Sequence, residues 1–236
     1  EATLAEVQPP VVSPYVWQVR RTAGGLELSG SIATPGDRAS LLEAARKAVP
    51  GAAVADGMTY GGGAPSSFGA STAFALAQLA QLTRGEAKLT DTVLSLTGDA
   101  PSPTAYDAVV ASTAKPPAGV TMGAVAIAPP VVRPYAWQVR RGPGGLELSG
   151  SVATAAVRAG LLEAARKAAP GVAVADAMTY ASGAPASFGA ATGFALTQVA
   201  LLASGEAKVV DDTLSLTGEA PTSAAYEGVL AATAKP

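Results

Sequence analysis

At 236 residues, with 49% apolar and 14% charged side chains, the chain has a globular composition and enough length for two ordinary domains. A formal net charge of −2 gives no long-range field that would gather nucleic acid, and the lack of cysteine excludes disulfides, thiolate metal sites and thiol nucleophiles. With only 5% aromatic residues, the core is expected to be close-packed from Ala, Val and Leu.

In chain order, the first pattern is the alternation of Tyr15, Trp17 and Val19 against Gln18 and Arg20, which predicts a strand over Tyr15 to Arg21. Gly24-Gly25 turns the chain, and Leu26 and Leu28 alternate with Glu27 and Ser29 to complete a hairpin at Gly30. A helix follows, with Thr34 as cap, Pro35 at its first position and Asp37 where the helix dipole favours a carboxylate. Its buried stripe is Leu41, Leu42, Ala45 and Val49, and Pro50-Gly51 stops it. The later copy of this helix, after Thr154, lacks the Pro and the Asp, so its first turn is expected to be looser.

Next come a strand over Val54 to Tyr60 and a mobile-looking Gly61-Gly62-Gly63 run. A connecting helix over about Ser66 to Leu82 carries Phe68, Ala75, Leu79 and Leu82 on one stripe, with Phe74 and Leu76 off it. A helix apolar on more than one side is sandwiched or carries a contact surface. A second hairpin runs from Glu86 to Gly98, and a helix from about Pro103 to Ala114 turns Tyr106, Val109 and Val110 inward. The strand Val120 to Ile127 closes the pattern, and Pro129-Pro130 forms a stiff joint.

All of this happens twice. Pro14 to Tyr60 recurs at Pro134 to Tyr180 with a constant offset of 120 and no gap, and SFGA (Ser67, Ser187), GEAK (Gly85, Gly205) and LSLTG (Leu94, Leu214) keep the same offset. Within each copy LELSG echoes LSLTG, so each copy reads as a pair of β-β-α-β units joined by an extra helix. The fold class is therefore α+β, with a first repeat over residues 1–128 and a second over 129–236. Residues 1–10 (EATLAEVQPP) align with 121–130 (TMGAVAIAPP), and the second copy stops at Lys235-Pro236 before an equivalent of Val120 to Ile127. The second repeat is thus expected to lack its last strand and to leave an edge that recruits one. A strand over Thr3 to Gln8 is expected either to belong to the first repeat or to fill the vacancy in the second, in the same chain or a neighbouring one.

The hairpin-helix-strand unit with L-x-LSG, an Arg near the helix start (Arg38, Arg158), LLEAA and PG-x-x-VxD resembles the BON family, named for bacterial osmotically induced and nodulation-related proteins. The longer pattern, SPYVW or RPYAW, then SFGA, GEA and LSLTGEAP, is similar to tandem periplasmic repeats of OmpA-family proteins of alphaproteobacteria. The resemblance covers nearly the whole chain and implies a BON-like fold in the periplasm, phospholipid contact and a part in envelope integrity at the outer membrane. It implies peptidoglycan binding only through a domain outside these residues.

Catalysis is disfavoured by inventory. Without histidine, the common base near neutral pH and the commonest zinc ligand are missing. The carboxylates Glu27, Asp56, Glu86 and Asp91 fall in strands or turns where solvated surface is expected, and Asp211-Asp212 lacks the oxygen-rich loop that calcium needs. The glycine runs precede no Lys-Ser/Thr and are turn glycines rather than phosphate loops.

Two Arg-Arg pairs stand beside a Trp: Arg20 and Arg21 near Trp17, Arg140 and Arg141 near Trp137. A Trp with nearby Arg can lodge among lipid headgroups, whereas a Trp on the inward face is core. No apolar run reaches the roughly 20 residues of a spanning helix and no leader opens the chain, so any signal or anchor is expected to have been removed or to lie outside it. The expectation is a non-catalytic periplasmic spacer, scaffold or binding module of the cell envelope, or else a phospholipid-headgroup module using the Arg pairs. No metal or cofactor is expected. Phospholipid or another envelope protein is the expected partner, with self-association through exposed sheet edges.

Overall fold

A computed structural model describes residues 7–234 and divides the chain into two compact units, with the boundary between Ala128 and Pro129. The first unit runs β1 (Val16–Thr22), β2 (Gly25–Ile32), α1 (Pro35–Ala48), β3 (Ala53–Tyr60), α2 (Phe68–Leu79), β4 (Arg84–Thr90), β5 (Val93–Asp99), α3 (Pro103–Thr113) and β6 (Thr121–Ala128). Its six strands form one sheet in the order β3-β2-β1-β4-β5-β6. The two outer pairings, β2 with β3 and β5 with β6, are parallel, and the three inner ones are antiparallel. Each β-β-α-β half thus supplies a hairpin and a crossover strand, with β1 and β4 pairing at the centre.

The second unit repeats this with β7 (Ala136–Gly142), β8 (Gly145–Val152), α4 (Ala155–Ala168), β9 (Val174–Tyr180), α5 (Phe188–Ala200), β10 (Ser204–Val210), β11 (Thr213–Glu219) and α6 (Ser223–Thr233). Its sheet has five strands, β11-β10-β7-β8-β9. The class is α+β, with helices packed on mixed sheets.

Strand alternation builds the core. Tyr15, Trp17 and Val19 are buried with Leu26, Leu28, Leu89, Leu94 and Leu96, while Arg20 on the opposite face is exposed. The helices add Leu41 and Ala45 from α1, Ala75, Leu76 and Leu79 from α2, and Val109 from α3. Phe68, the first residue of α2, stands edge-on to Tyr15 and Trp17 with ring centroids 5.5 and 6.2 Å away. Edge-to-face contact of this kind favours the positive ring edge against the negative face. Phe188 stands the same way to Tyr135 and Trp137, at 5.3 and 6.4 Å, so the PY-x-W and SFGA motifs are two sides of one aromatic cluster.

The off-stripe residues of α2 have a simple cause. The helix packs on β1, β4 and β5 and also against α1, so Leu76 is buried and Phe74 half-buried. It is sandwiched rather than a contact surface. Gly30 answers a steric demand: its φ is +95°, and a Cβ there would lie 2.4 Å from the Val16 carbonyl oxygen. The same holds at Gly150, where the distance to the Ala136 oxygen would be 2.5 Å.

Three expectations change. The Gly61-Gly62-Gly63 run is pinned, not loose: Gly61 N donates to Ile32 O at 3.0 Å, Gly62 N to Pro10 O at 2.8 Å, and Val12 N to Gly62 O at 3.0 Å. Val110 is exposed, because α3 turns Val109 and the half-buried Tyr106 inward and one residue further round the helix faces out. The first turn of α4 forms at the residue equivalent to that of α1. Thr154 Oγ1 still accepts from Val157 N at 3.2 Å, and only the bond from the Thr34 hydroxyl to Asp37, 2.7 Å in α1, is missing.

The predicted strand over Thr3 to Gln8 falls mostly outside the described residues, and Val7 and Gln8 belong to no strand. At the other end of the pattern, β11 is an edge strand of the second sheet, whereas its counterpart β5 is covered by β6.

Candidate binding surface

Period 2 on β1 sends the two arginines of each pair to opposite faces of the sheet. Arg21 points to the helix side, and its Nη1 donates to the carbonyls of Leu79 and Ala80, both at 2.8 Å. These carbonyls belong to the C-terminal end of α2, where orphan acceptors and the negative end of the dipole favour a cation. Arg141 bonds the Ala200 carbonyl at the end of α5 in the same way.

Arg20 points to the open face. It lies opposite Glu27 on β2 and Glu86 on β4, and its Nε and Nη2 donate to Glu86 Oε2 at 3.3 and 3.2 Å. Arg140 sits between Glu147 and Glu206, 3.5 Å from the latter. The side chains of Arg20 and Arg140 are 54% and 61% exposed, so these are solvent-screened pairs. With Gln18, Ser29 and Ala55, Arg20 and Glu27 line a shallow depression of about 420 Å³. Trp17 and Trp137 are 0% and 1% exposed, which moves them from the contact candidates to the core.

The carboxylates are dispersed. Glu27 and Glu86 lie on either side of Arg20, two strand spacings or roughly 10 Å apart. Asp91, at φ +53°, closes the β4–β5 turn; its Oδ1 accepts from Tyr15 N at 2.9 Å and its own N–H donates to Tyr15 O at 2.8 Å. Asp211 does the same for Tyr135, while Asp212 accepts from the Ser187 hydroxyl at 2.6 Å, so the adjacent acids serve separate contacts. Among the described residues no three His, Cys, Asp or Glu side chains gather into a metal-ligand group.

One constellation went unpaired in the sequence reading. Arg38 on α1 donates from Nε to Asp56 Oδ2 on β3 at 2.7 Å and lies 5.4 Å from the Tyr60 ring centroid. Asp56 Oδ1 accepts from Met58 N at 3.0 Å. The Arg38 guanidinium holds the Asp56 carboxyl below its ordinary value. Arg158, Asp176 and Tyr180 repeat the set; partial burial pushes Asp176 up, and the bonds from Arg158 and Met178 N–H outweigh it to leave the group lowered. The signal for this contact was the recurrence of Arg and Asp at matching places in both copies.

No protein-family model and no curated protein sequence matches the chain.

The largest difference between the units is the β11 edge. Leu94 and Leu96 are buried on β5, but Leu214 and Leu216 on β11 are only partly covered. Beside them open two hollows that share Leu216 and Thr233. One, of about 380 Å³, is lined by Ala191, Phe194 and Leu214; the other, of about 290 Å³, by Leu202, Tyr226 and Leu230. Tyr226 on α6 is 57% exposed, while its equivalent Tyr106 is half-buried against the core. In the first unit α3 packs on β6, which covers this region. The backbone differs too: Ala100 N donates to Ala128 O and Thr121 N to Thr92 O, both at 2.9 Å. Among the described residues, the equivalent Ala220 N–H and Asp212 carbonyl have no such strand beside them. Chemically the edge offers backbone donors and acceptors next to an apolar groove, the combination that binds an extended peptide. No helix among the described residues is long and apolar enough to cross a membrane.

Proposed function

We propose that this chain is a non-catalytic scaffold or spacer of a bacterial cell envelope, working in the periplasm and holding partners through its exposed sheet edges. The observation that carries this reading is the β11 edge with its apolar groove, a surface made for an extended protein segment. The resemblance of the repeat to BON units of OmpA-family proteins supports the compartment. The internal employment of polar side chains supports the lack of chemistry: Arg21 caps a helix, Arg38 ties α1 to β3, and Asp91 closes a turn. A partner that is another envelope protein suits such an edge better than a small molecule does.

A second reading, a phospholipid-headgroup module, draws on one observation, the exposure of Arg20 and Arg140 on the open face. It asks a headgroup phosphate to displace Glu86 or Glu206 from its arginine. Co-sedimentation with vesicles of phosphatidylglycerol and phosphatidylethanolamine separates the two. The scaffold reading expects the chain in the supernatant at low and high salt, with R20A/R140A no different. Binding at low salt that falls as salt rises and is lost in R20A/R140A would replace it with the headgroup reading.

A further inference from the structure

We infer that Asp56 and Asp176 lock the outer edges of β3 and β9: each carboxylate occupies the backbone amide through which the same edge of a second copy of this chain would add as a strand. The inference concerns edges other than β11 and does not rest on the scaffold reading.

An exposed strand edge pairs with other chains unless something blunts it. Among the described residues β3 ends the first sheet and β9 the second, with no strand beyond either. Which amides face outward follows from the parallel ladder, where alternate residues turn both backbone groups toward the same neighbour. Gly61 N donates to Ile32 O on β2 at 3.0 Å, so Thr59, Gly57 and Ala55 also face β2, while Val54, Asp56, Met58 and Tyr60 face out. Gly62 continues the outward set and is covered by Pro10 and Val12. A longer ladder would next ask Pro10 for an N–H, which proline lacks, so this cover stops short of the edge strand itself.

Aspartate is a poor strand former, yet one stands in the middle of each edge strand. Asp56 Oδ1 accepts from Met58 N, an outward amide near the centre of the edge, at 3.0 Å, and Arg38 Nε on α1 holds Oδ2 at 2.7 Å. In the second unit Ala181 N donates to Val152 O, which sets the same alternation. There Asp176 Oδ1 accepts from Met178 N at 3.0 Å, and Arg158 Nε holds Oδ2 at 2.8 Å.

The sequence of the edge suits it to its own copy. Two β3 strands related by a two-fold at Gly57 set Asp56 opposite Met58 and Val54 opposite Tyr60, with no like charges facing. In that register Met58 N of each copy donates to the carbonyl of residue 56 in the other. The carboxylate and the second chain therefore compete for one amide. β9 carries the same residues in the same places, with Ala177 for Gly57.

The test combines amide hydrogen exchange with sedimentation velocity on the wild-type chain, D56A, D176A, D56A/D176A and R38M/R158M, each established as folded by circular dichroism. In dilute D56A, exchange at Met58 should rise roughly tenfold or more. At higher concentration D56A and D176A each have one freed edge, which a two-fold pair consumes, so each should gain a dimer over the wild type and grow no further. D56A/D176A has two freed edges and should form longer assemblies. R38M/R158M breaks the ion pairs but leaves both carboxylates on their amides, and should sediment as the wild type does. A folded D56A/D176A that sediments like the wild type overturns the inference, as does unchanged Met58 exchange in D56A. Association of R38M/R158M as strong as that of D56A/D176A overturns it too, since the tie between α1 and β3 would then guard the edge rather than the capped amide.

Discussion

At the scale of single residues, burial and pairing set what each side chain contributes. Trp17 and Trp137 fill the centre of each core with their ring partners Phe68 and Phe188, so W17A or W137A is expected to cost about 3–5 kcal/mol in urea unfolding. R20A and R140A remove exposed ion pairs and should change stability by less than about 1 kcal/mol. Equal effects from the two kinds of change would mean that the tryptophans are not core. Tyr135 adds a pH dependence. Burial pushes its phenol up to about 12, whereas in the unfolded chain it ionises near 10. The unfolded chain therefore gives up its proton first. This contribution to stability is intact below pH 10 and is lost as pH rises from 10 toward 12. Y135F should flatten that alkaline decline and leave stability near neutral pH little changed, since the Tyr135 hydroxyl makes only a 3.5 Å contact to Ala181 O. Tyr15 is raised by the same cause, with Asp37 adding to it, so part of the decline should survive in Y135F.

At the scale of elements, the strands and helices were legible because their apolar residues follow clean periods of 2 and 3.6. Tyr15, Trp17 and Val19, or Leu41 and Ala45, announce a face without help from the rest of the chain. What stayed hidden depends on contacts between distant elements. Arg38 and Asp56 are 18 residues apart and meet only because β3 crosses back parallel to β2 beneath α1. The Gly61-Gly62-Gly63 run looked loose because its partners lie far back in the chain, Ile32 for Gly61 and Pro10 and Val12 for Gly62. The Arg pairs misled for a different reason. Adjacent residues on a strand face opposite ways, so Arg20 and Arg21 never formed one patch, and only Arg20 remains a surface group. Arg21 instead fixes the end of α2 to the sheet. R21A leaves the Leu79 and Ala80 carbonyls without a cation and should cost about 1–3 kcal/mol, with R21K recovering part of it. A cost no larger than that of R20A in the same unfolding experiment would remove the capping role.

At the scale of the whole molecule, the two units share their core pattern and three matching ion pairs, the first alone has the Thr34–Asp37 bond and the Arg84–Asp99 pair, and their largest difference among the described residues is the edge at β11. The strand that covers this edge in the first unit was readable from the Val120 to Ile127 pattern. The residues that become accessible there, Leu216, Tyr226 and Leu230, were not, because their exposure depends on how α6 sits without a strand beneath it. The scaffold reading requires that this edge be open in the isolated chain. Hydrogen exchange on dilute protein measures it directly, by comparing β5 with β11 amide by amide, including Ala100 against Ala220. The account predicts slow exchange along Val93–Asp99 and at Ala100, where β6 supplies the second set of bonds, and fast exchange at Ala220 and at the β11 amides not bonded to β10. Equal protection of the two strands in dilute solution would contradict it.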